Sequence, residues 1–312
     1  MDIATQLQLF TTRFLGIFIE AVSFLLLGTL VSGLIEVFVR QEDMLRLLPR
    51  RRLPAILTGA CLGFLFPVCE CGVVPVARRL YQKGLPPAVG ITFLLAAPVM
   101  NPIVLASTFS AFGWGTVLVG RYVITMLIAV SVGLLFSLQS KPQRMLAPQA
   151  YATLARGGGG DPADAPTSSR ESLLAALLRA LRLAGDEFFD VGRYLVIGCA
   201  LAAGMQIFIP QETLRTISAD PVVSVFVMAL LAFVLSVCST TDAIIALSFA
   251  NPATGFTTGS ILTFLTFGPM VDIKSLLMYL SVYRRRTVIY MAMLPLLIAV
   301  FIGIWLNLNV RF

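Results

Sequence analysis

Long apolar segments separated by short polar loops run along almost the whole chain. Eight segments are predominantly apolar over at least 18 residues: 12–38, 53–80, 88–109, 115–137, 187–209, 221–249, 259–281 and 288–308. Each can cross a hydrocarbon core of about 30 Å as an α-helix, whereas barrel strands are alternating segments of roughly ten residues. The pattern therefore predicts an all-α polytopic membrane protein.

Polar and helix-breaking residues interrupt the two longest segments, 53–80 and 221–249. The first contains Cys69-Glu70-Cys71 and the second contains the run from Ser236 to Asp242. The predicted structural breaks are Pro67, Gly72, Pro98, Pro102, Gly268 and Pro269. Irregular backbone at membrane depth persists only where protein or a water-filled cavity satisfies it, and paired interruptions mark transport sites. We expect the broken segments to meet near the midplane.

The two halves of the chain repeat each other at an offset near 170 residues. Pro98-Val-Met-Asn101 corresponds to Pro269-Met-Val-Asp272, and Cys69 corresponds to Cys238. These matches predict a first membrane repeat over 1–137, a flexible cytoplasmic linker over 138–170 and a second membrane repeat over 171–312. The linker is assigned from its glycine-rich and proline-rich composition.

The second repeat begins with a leucine-rich stretch from Glu171 to Gly185. Its leucines share one helical face, which favours an interfacial helix. The alternative is that this stretch only extends the helix that follows it.

Basic residues cluster in three loops and give the chain a net charge of +7. The clusters are Arg46, Arg50, Arg51 and Arg52; Arg78, Arg79 and Lys83; and Arg284, Arg285 and Arg286. If 53–80 and 221–249 are re-entrant, all three clusters and the linker lie on one side, as the positive-inside tendency requires.

The re-entrant model gives three membrane-crossing helices and one broken segment in each half, and an odd number of crossings makes the repeats inverted. The alternative is eight full crossings with parallel repeats. We predict an inner (plasma) membrane protein with the linker in the cytoplasm and both termini outside.

Cysteines in the interrupted segments are the candidate metal ligands. Thiolates select soft metals and metalloids, so Cys69, Cys71 and Cys238 are the predicted ligands, while Cys61 and Cys199 are expected to be small apolar fillers. Histidine chemistry is excluded because the chain has no histidine.

Polar residues in the membrane segments extend the predicted substrate site. Ionisable groups at membrane depth normally face a cavity or a partner, so Glu70, Asp242 and Asp272 are candidates to balance the charge of a substrate. Asn101 is a further polar candidate. Arg121 and Arg193 are expected to snorkel towards the membrane surface.

Two pairs of stretches, one pair in each half, carry a family resemblance. Phe66-Pro-Val-Cys-Glu-Cys-Gly-Val-Val-Pro75 with Ala97-Pro-Val-Met-Asn-Pro102, and Ser236-Val-Cys-Ser-Thr-Thr-Asp242 with Phe267-Gly-Pro-Met-Val-Asp272, resemble the motifs of a predicted-permease family. That family includes YraQ-like proteins and the ArsP organoarsenical efflux permeases. The resemblance implies transport of trivalent organoarsenicals through cysteine coordination, with Cys69, Cys71 and Cys238 as ligands.

These observations predict a secondary permease for a soft metal ion or thiophilic metalloid, and not an enzyme. The sequence contains no Walker-type phosphate loop, so an ion gradient is the expected energy source. No resident cofactor is expected, because the metal or metalloid would be the substrate. The alternatives are an intramembrane thiol or sulfur redox carrier and a membrane subunit of a larger complex. Predicted partners are the lipid bilayer, a small inorganic or organometalloid substrate, and a second copy or an accessory protein, with no nucleic acid.

Overall fold

The computed structural model describes residues 3–39, 49, 51–65, 69–139, 145–147, 173–208, 220–250 and 256–309. This part of the chain forms twelve helices: α1 (Ile3–Phe38), α2 (Arg52–Leu65), α3 (Glu70–Gln82), α4 (Pro87–Met100), α5 (Pro102–Phe112), α6 (Thr116–Ser137), α7 (Leu173–Phe208), α8 (Pro221–Leu235), α9 (Asp242–Phe249), α10 (Thr258–Met270), α11 (Ile273–Tyr279) and α12 (Arg285–Asn309).

Six helical stretches of the described chain are long and apolar enough to cross a membrane. They are Thr5–Phe38, Pro87–Phe112, Thr116–Ser137, Leu174–Gln206, Thr258–Tyr279 and Arg285–Asn309. The prediction of an all-α polytopic membrane protein is confirmed.

The helices fall into two sets of six that match in order and approximate length. α1 and α7 each have 36 residues, α2 and α8 have 14 and 15, and α6 and α12 have 22 and 25. Each set contains three of the six candidate spans. An inverted pair requires such an odd number per half, but the inversion itself stays a prediction.

The interrupted segments form short helices. α2, α3, α8 and α9 contain 14, 13, 15 and 8 residues, which is about 12 to 22 Å of helix at 1.5 Å per residue. None of these four helices crosses a core of about 30 Å alone. Two such helices in series can still cross together, so the re-entrant model and the alternative of eight full crossings both stay predictions.

Most of the predicted structural breaks lie inside helices. Gly72 belongs to α3, Pro98 to α4, and Gly268 and Pro269 to α10. The breaks near Pro98 and Pro269 lie three residues after each proline, where the Asn101 and Asp272 side chains accept backbone N–H groups and start α5 and α11. A proline in the last turn removes only one helical hydrogen bond, so the new N-caps set the break.

Two other predicted breaks have different outcomes. Pro102 does stand at a break, because it occupies the first turn of α5, where proline is tolerated. Pro67 lies outside the described residues.

Two predictions about the linker region change. The leucine-rich stretch is not a separate interfacial helix, because α7 runs without interruption from Leu173 to Phe208. Part of the linker is packed on the protein: Met145 and Leu146 are buried, the Ala147 N–H donates to the Val282 carbonyl at 2.8 Å, and the Arg284 N–H donates to Met145 at 3.0 Å. Residues 140–144 and 148–170 lie outside the described residues.

The long helices α1 and α7 pack against each other along an extensive interface. α1 also packs along α3, and α7 packs along α11. The start of α3 lies so close to α1 that a side chain on Gly28 would collide with the backbone of Gly72. Elsewhere α3 contacts α11, and α5 contacts α9.

Candidate functional site

The two interrupted segments bring one cysteine from each half to the same buried place. The sulfur atoms of Cys69 and Cys238 and a carboxylate oxygen of Glu70 all lie within 4.8 Å of one another. The three residues are between 1% and 3% exposed. A metal–sulfur bond is about 2.3 Å long, so two sulfurs about 4.6 Å apart can share one ion.

The backbone holds the two cysteines in equivalent positions. The Cys69 carbonyl accepts from Gly72 at 3.1 Å and from Val73 at 3.0 Å, which starts α3. The Cys238 carbonyl accepts from Thr241 at 3.0 Å and from Asp242 at 3.1 Å, which starts α9. Cys69 is the N-cap of α3, where the helix dipole favours negative charge such as a thiolate, whereas Cys238 precedes Thr241, the N-cap of α9, by three residues.

The end of α8 carries the backbone strain of the site. Ser236 has φ of 48°, a left-handed conformation that residues other than glycine rarely adopt. Its hydroxyl accepts from the Ile273 N–H at 3.3 Å, and the Gln206 amide donates to the Leu235 carbonyl at 2.7 Å. These contacts from α11 and α7 hold open the stretch that presents Cys238.

A buried charged triad adjoins the cysteines. The Lys274 ammonium lies 3.4 Å from Glu70 and 3.4 Å from Asp272, and all three residues are at most 2% exposed. Asp272 also accepts from the Ser275 N–H at 2.6 Å, as the N-cap of α11. Glu70 Oε2 accepts no hydrogen bond, and Asp272 Oδ2 has only its ion pair with Lys274, so the triad has two carboxylates for one ammonium group.

Asp242 lies outside this cluster because Arg121 holds it. The Arg121 guanidinium donates to the two carboxylate oxygens at 3.0 and 2.7 Å, and it donates to Thr108 at 2.8 Å. Arg121 is completely buried. The prediction that Arg121 snorkels is therefore wrong, because its charge is neutralised at depth by an acid of the other half. Arg193 is exposed and lies over the Tyr194 ring at 5.1 Å.

The remaining predicted residues have other surroundings. Asn101 is buried, and its side chain accepts from the Ile103 N–H at 2.9 Å as a helix cap. Cys71 is buried in the first turn of α3 but is not one of the three clustered ligands. Cys199 is buried in α7, whereas Cys61 is exposed on α2.

Sequence reasoning missed a further buried acid, Glu187 in α7. It accepts from the Ser32 hydroxyl at 2.5 Å and from Arg79 Nε at 3.2 Å, so it connects α1, α3 and α7. Two nearby ion pairs, Lys83 with Glu36 at 3.2 Å and Arg78 with Asp190 at 3.6 Å, join the same three helices. The available signal was an acid at the start of an apolar segment, together with two arginines that the sequence analysis assigned only to a basic loop.

Comparison with known proteins gives matches over nearly the whole chain. The family model ArsP_1, described as "Predicted permease", matches residues 6–308. The UPF0718 protein YcgR of Bacillus subtilis (strain 168) is 43% identical over 277 residues, which cover 88% of this chain and 89% of that protein.

Two further relatives are less similar. A Streptococcus mutans protein named "Putative two-component membrane permease complex subunit" is 38% identical over 278 residues, 88% of this chain and 87% of that protein. The UPF0718 protein MJ0584 of Methanocaldococcus jannaschii is 26% identical over 95 residues, 30% of this chain and 26% of that protein. No solved structure matches the chain.

Proposed function

The chain belongs to the ArsP_1 family of predicted permeases, and on this basis we propose that it is a secondary permease for a soft metal ion or a thiophilic metalloid, a class that includes trivalent organoarsenicals. The observation that carries the proposal is the buried cluster of Cys69, Glu70 and Cys238. A substrate bound there would touch both halves of the molecule, as alternating access between two repeats requires.

The donor atoms favour a soft substrate. Two sulfurs and one carboxylate oxygen suit ions that prefer thiolate ligands over the all-oxygen sets of Mg²⁺ and Ca²⁺. Cys71 is the closest reserve donor in sequence, in the turn that follows Cys69.

The balance of buried charge favours a cation. Glu70, Asp242 and Asp272 supply three carboxylates, while Lys274 and Arg121 supply two cationic groups. The surplus negative charge lies with Glu70 and Asp272, the acids that keep an oxygen without a hydrogen bond. A positively charged substrate would relieve the cost of burying that charge.

Metal binding to the purified protein tests the proposal. We expect wild type to retain a thiophilic ion such as Ag⁺ or trivalent phenylarsine oxide, and Cys69→Ser/Cys238→Ser to lose at least about 90% of it, because each serine replaces a soft ligand with a hard one. Cys61→Ser/Cys199→Ser removes the same number of thiols elsewhere and should bind as wild type does. Elemental mass spectrometry after desalting measures the retained metal.

Two results would contradict the proposal. One is equal retention by the two double variants. The other is a disulfide that joins two of Cys69, Cys71 and Cys238, or a persulfide on one of them, in protein isolated under thiol trapping, which would favour the redox-carrier alternative.

A second candidate function is that of a subunit in a two-component permease. The name of the Streptococcus mutans relative describes such a complex, and the basic loops offer a surface for a second protein. Transport by the chain alone in proteoliposomes would contradict this candidate. Transport that appears only when a copurified protein is added would support it.

The proposed orientation places the protein in the inner membrane. The linker and the loops rich in arginine lie in the cytoplasm, and both termini lie outside. The two halves are then inverted repeats, each with three crossings and one re-entrant segment.

A further inference from the structure

A cationic cavity lies at the end of α6 and the start of α12, away from the cysteine cluster. It has a volume of about 620 Å³ and is lined by Arg284, Arg285, Arg286, Phe136, Gln139 and Tyr290, together with Thr287. Arg285 and Arg286 are exposed, and no described acid forms an ion pair with either. The cavity therefore offers two guanidinium groups that are free to bind an anion.

The neighbouring structure fixes the walls of this cavity. The packed linker residues hold its rim, because Arg284 Nε donates to the Leu146 carbonyl at 3.2 Å and the Thr287 hydroxyl donates to the Met145 carbonyl at 3.1 Å. A second cavity of about 230 Å³ shares Phe136 and Gln139 with the first and adds Arg51 and Arg52. Among the described residues, no acid lines either cavity.

The surface beside the cavity is apolar and faces the bilayer. Along α12 the exposed side chains after Tyr290 include Met293, Leu297 and Phe301, and Leu135 is exposed on α6. A tyrosine next to a group of arginines is typical of the level of lipid head groups, with acyl chains along the helices beyond it.

We propose that this cavity binds the phosphodiester head group of an anionic phospholipid. Guanidinium groups bind phosphate oxygens in paired hydrogen bonds, and the first turn of α12 adds backbone N–H groups with a favourable dipole. Basic pockets at the ends of membrane helices bind such head groups. The apolar surface of α12 and α6 takes the acyl chains, which distinguishes a lipid from free phosphate.

Lipid retention by the purified full-length chain in detergent tests the site. Native mass spectrometry with added phosphatidylglycerol should show a retained lipid, and Arg285→Gln/Arg286→Gln should weaken its apparent affinity by about tenfold or more. Arg182→Gln/Arg193→Gln removes equal charge at two exposed arginines that line neither cavity, and it should stay within about twofold of wild type. Unchanged thermal unfolding without lipid verifies that the variants are folded.

Each alternative outcome overturns the proposal. Equal weakening in both double variants would indicate a diffuse basic surface, and equal retention of phosphatidylcholine would indicate no preference for charge. Displacement of phosphatidylglycerol by millimolar inorganic phosphate would indicate a site for the free anion.

Discussion

Asp242 and Arg121 form a buried ion pair between α9 of the second half and α6 of the first. Asp242→Asn leaves the fully buried Arg121 uncompensated, so we expect it to destabilise the protein by about 3–5 kcal/mol. Thermal unfolding in detergent measures the loss. Arg121→Leu/Asp242→Leu removes both charges and should recover most of the stability.

The same pair decides between two roles for Asp242. If Asp242→Asn unfolds at the wild-type temperature but no longer binds the thiophilic ion, Asp242 is a substrate ligand as the sequence predicted. Loss of stability with binding retained would fit the ion pair described above.

The sequence allowed us to predict which residues form the site, but not which residues they pair with. Cys69, Glu70 and Cys238 followed from unusual residues at corresponding places in the two halves. The roles of Arg121 and Glu187 depend on partners that are 121 and 108 residues away along the chain. No local pattern encodes such distances, so a buried arginine and a snorkelling arginine look alike in the sequence.

Gly28 on α1 is needed for close helix packing at the element scale. A methyl group there would meet the backbone of Gly72, so Gly28→Ala should lower the unfolding temperature by several degrees. Gly16 is on the same helix, and a methyl group at that position would meet no atom within 4 Å. Gly16→Ala should leave the temperature unchanged or raise it slightly, because alanine is the better helix former. Equal effects of the two changes would show that close packing at Gly28 is unimportant.

The short helices also make a prediction about sidedness. If α3 and α9 both return to the surface from which their segment entered, their C-terminal ends lie on opposite sides of the membrane. We expect a membrane-impermeant maleimide to label Ser248→Cys, but not Gln82→Cys, in intact cells that carry Cys61→Ser. Labelling of both positions, or of neither until the cells are opened, would support full crossings.

The helix content was predictable because the length of the apolar segments determines it. Two of the breaks between helices, however, lie at other residues than the predicted ones. Pro98 and Pro269 were predicted as breaks, but the helices end where Asn101 and Asp272 cap the next ones. A proline weakens one hydrogen bond in a helix, whereas a cap determines where a new helix starts. The repeat already aligned Asn101 with Asp272, so the equivalence of the two caps was predictable from the sequence.

The whole molecule is asymmetric about the α1–α7 pair. In the described chain this pair packs along α3 and α11, whereas its contacts with α5 and α9 are minor. Three ion pairs, including Lys83 with Glu36 and Arg79 with Glu187, connect the pair to α3. Because the cysteines are buried, access to them requires movement, and we expect the pair to move together with α3 and α11 to open one side of the site.

Linking α1 to α3 should therefore fix the side of access. With Glu36→Cys/Lys83→Cys joined by a cleavable bifunctional thiol reagent, we expect Cys69 and Cys238 to react with a soluble thiol reagent only from the α9 side. Cleavage should restore reaction from both sides. The same Glu36→Cys/Lys83→Cys protein treated with a monofunctional thiol reagent carries the modification without a link, so reaction from both sides should stay intact. Identical behaviour of the linked and the singly modified protein would contradict movement of the pair.

The partners of Glu70 and Arg121 also constrain biosynthesis. Ribosomes deliver the first half to the membrane before Lys274 and Asp242 exist, so a carboxylate and a guanidinium enter the bilayer without their counter-charges. Until the second half is synthesised, water or the insertion machinery has to stabilise these two unpaired charges in the membrane. A polypeptide that stops after residue 137 never receives those partners, and quality-control proteases should remove it unless residues 171–312 are supplied as a separate chain.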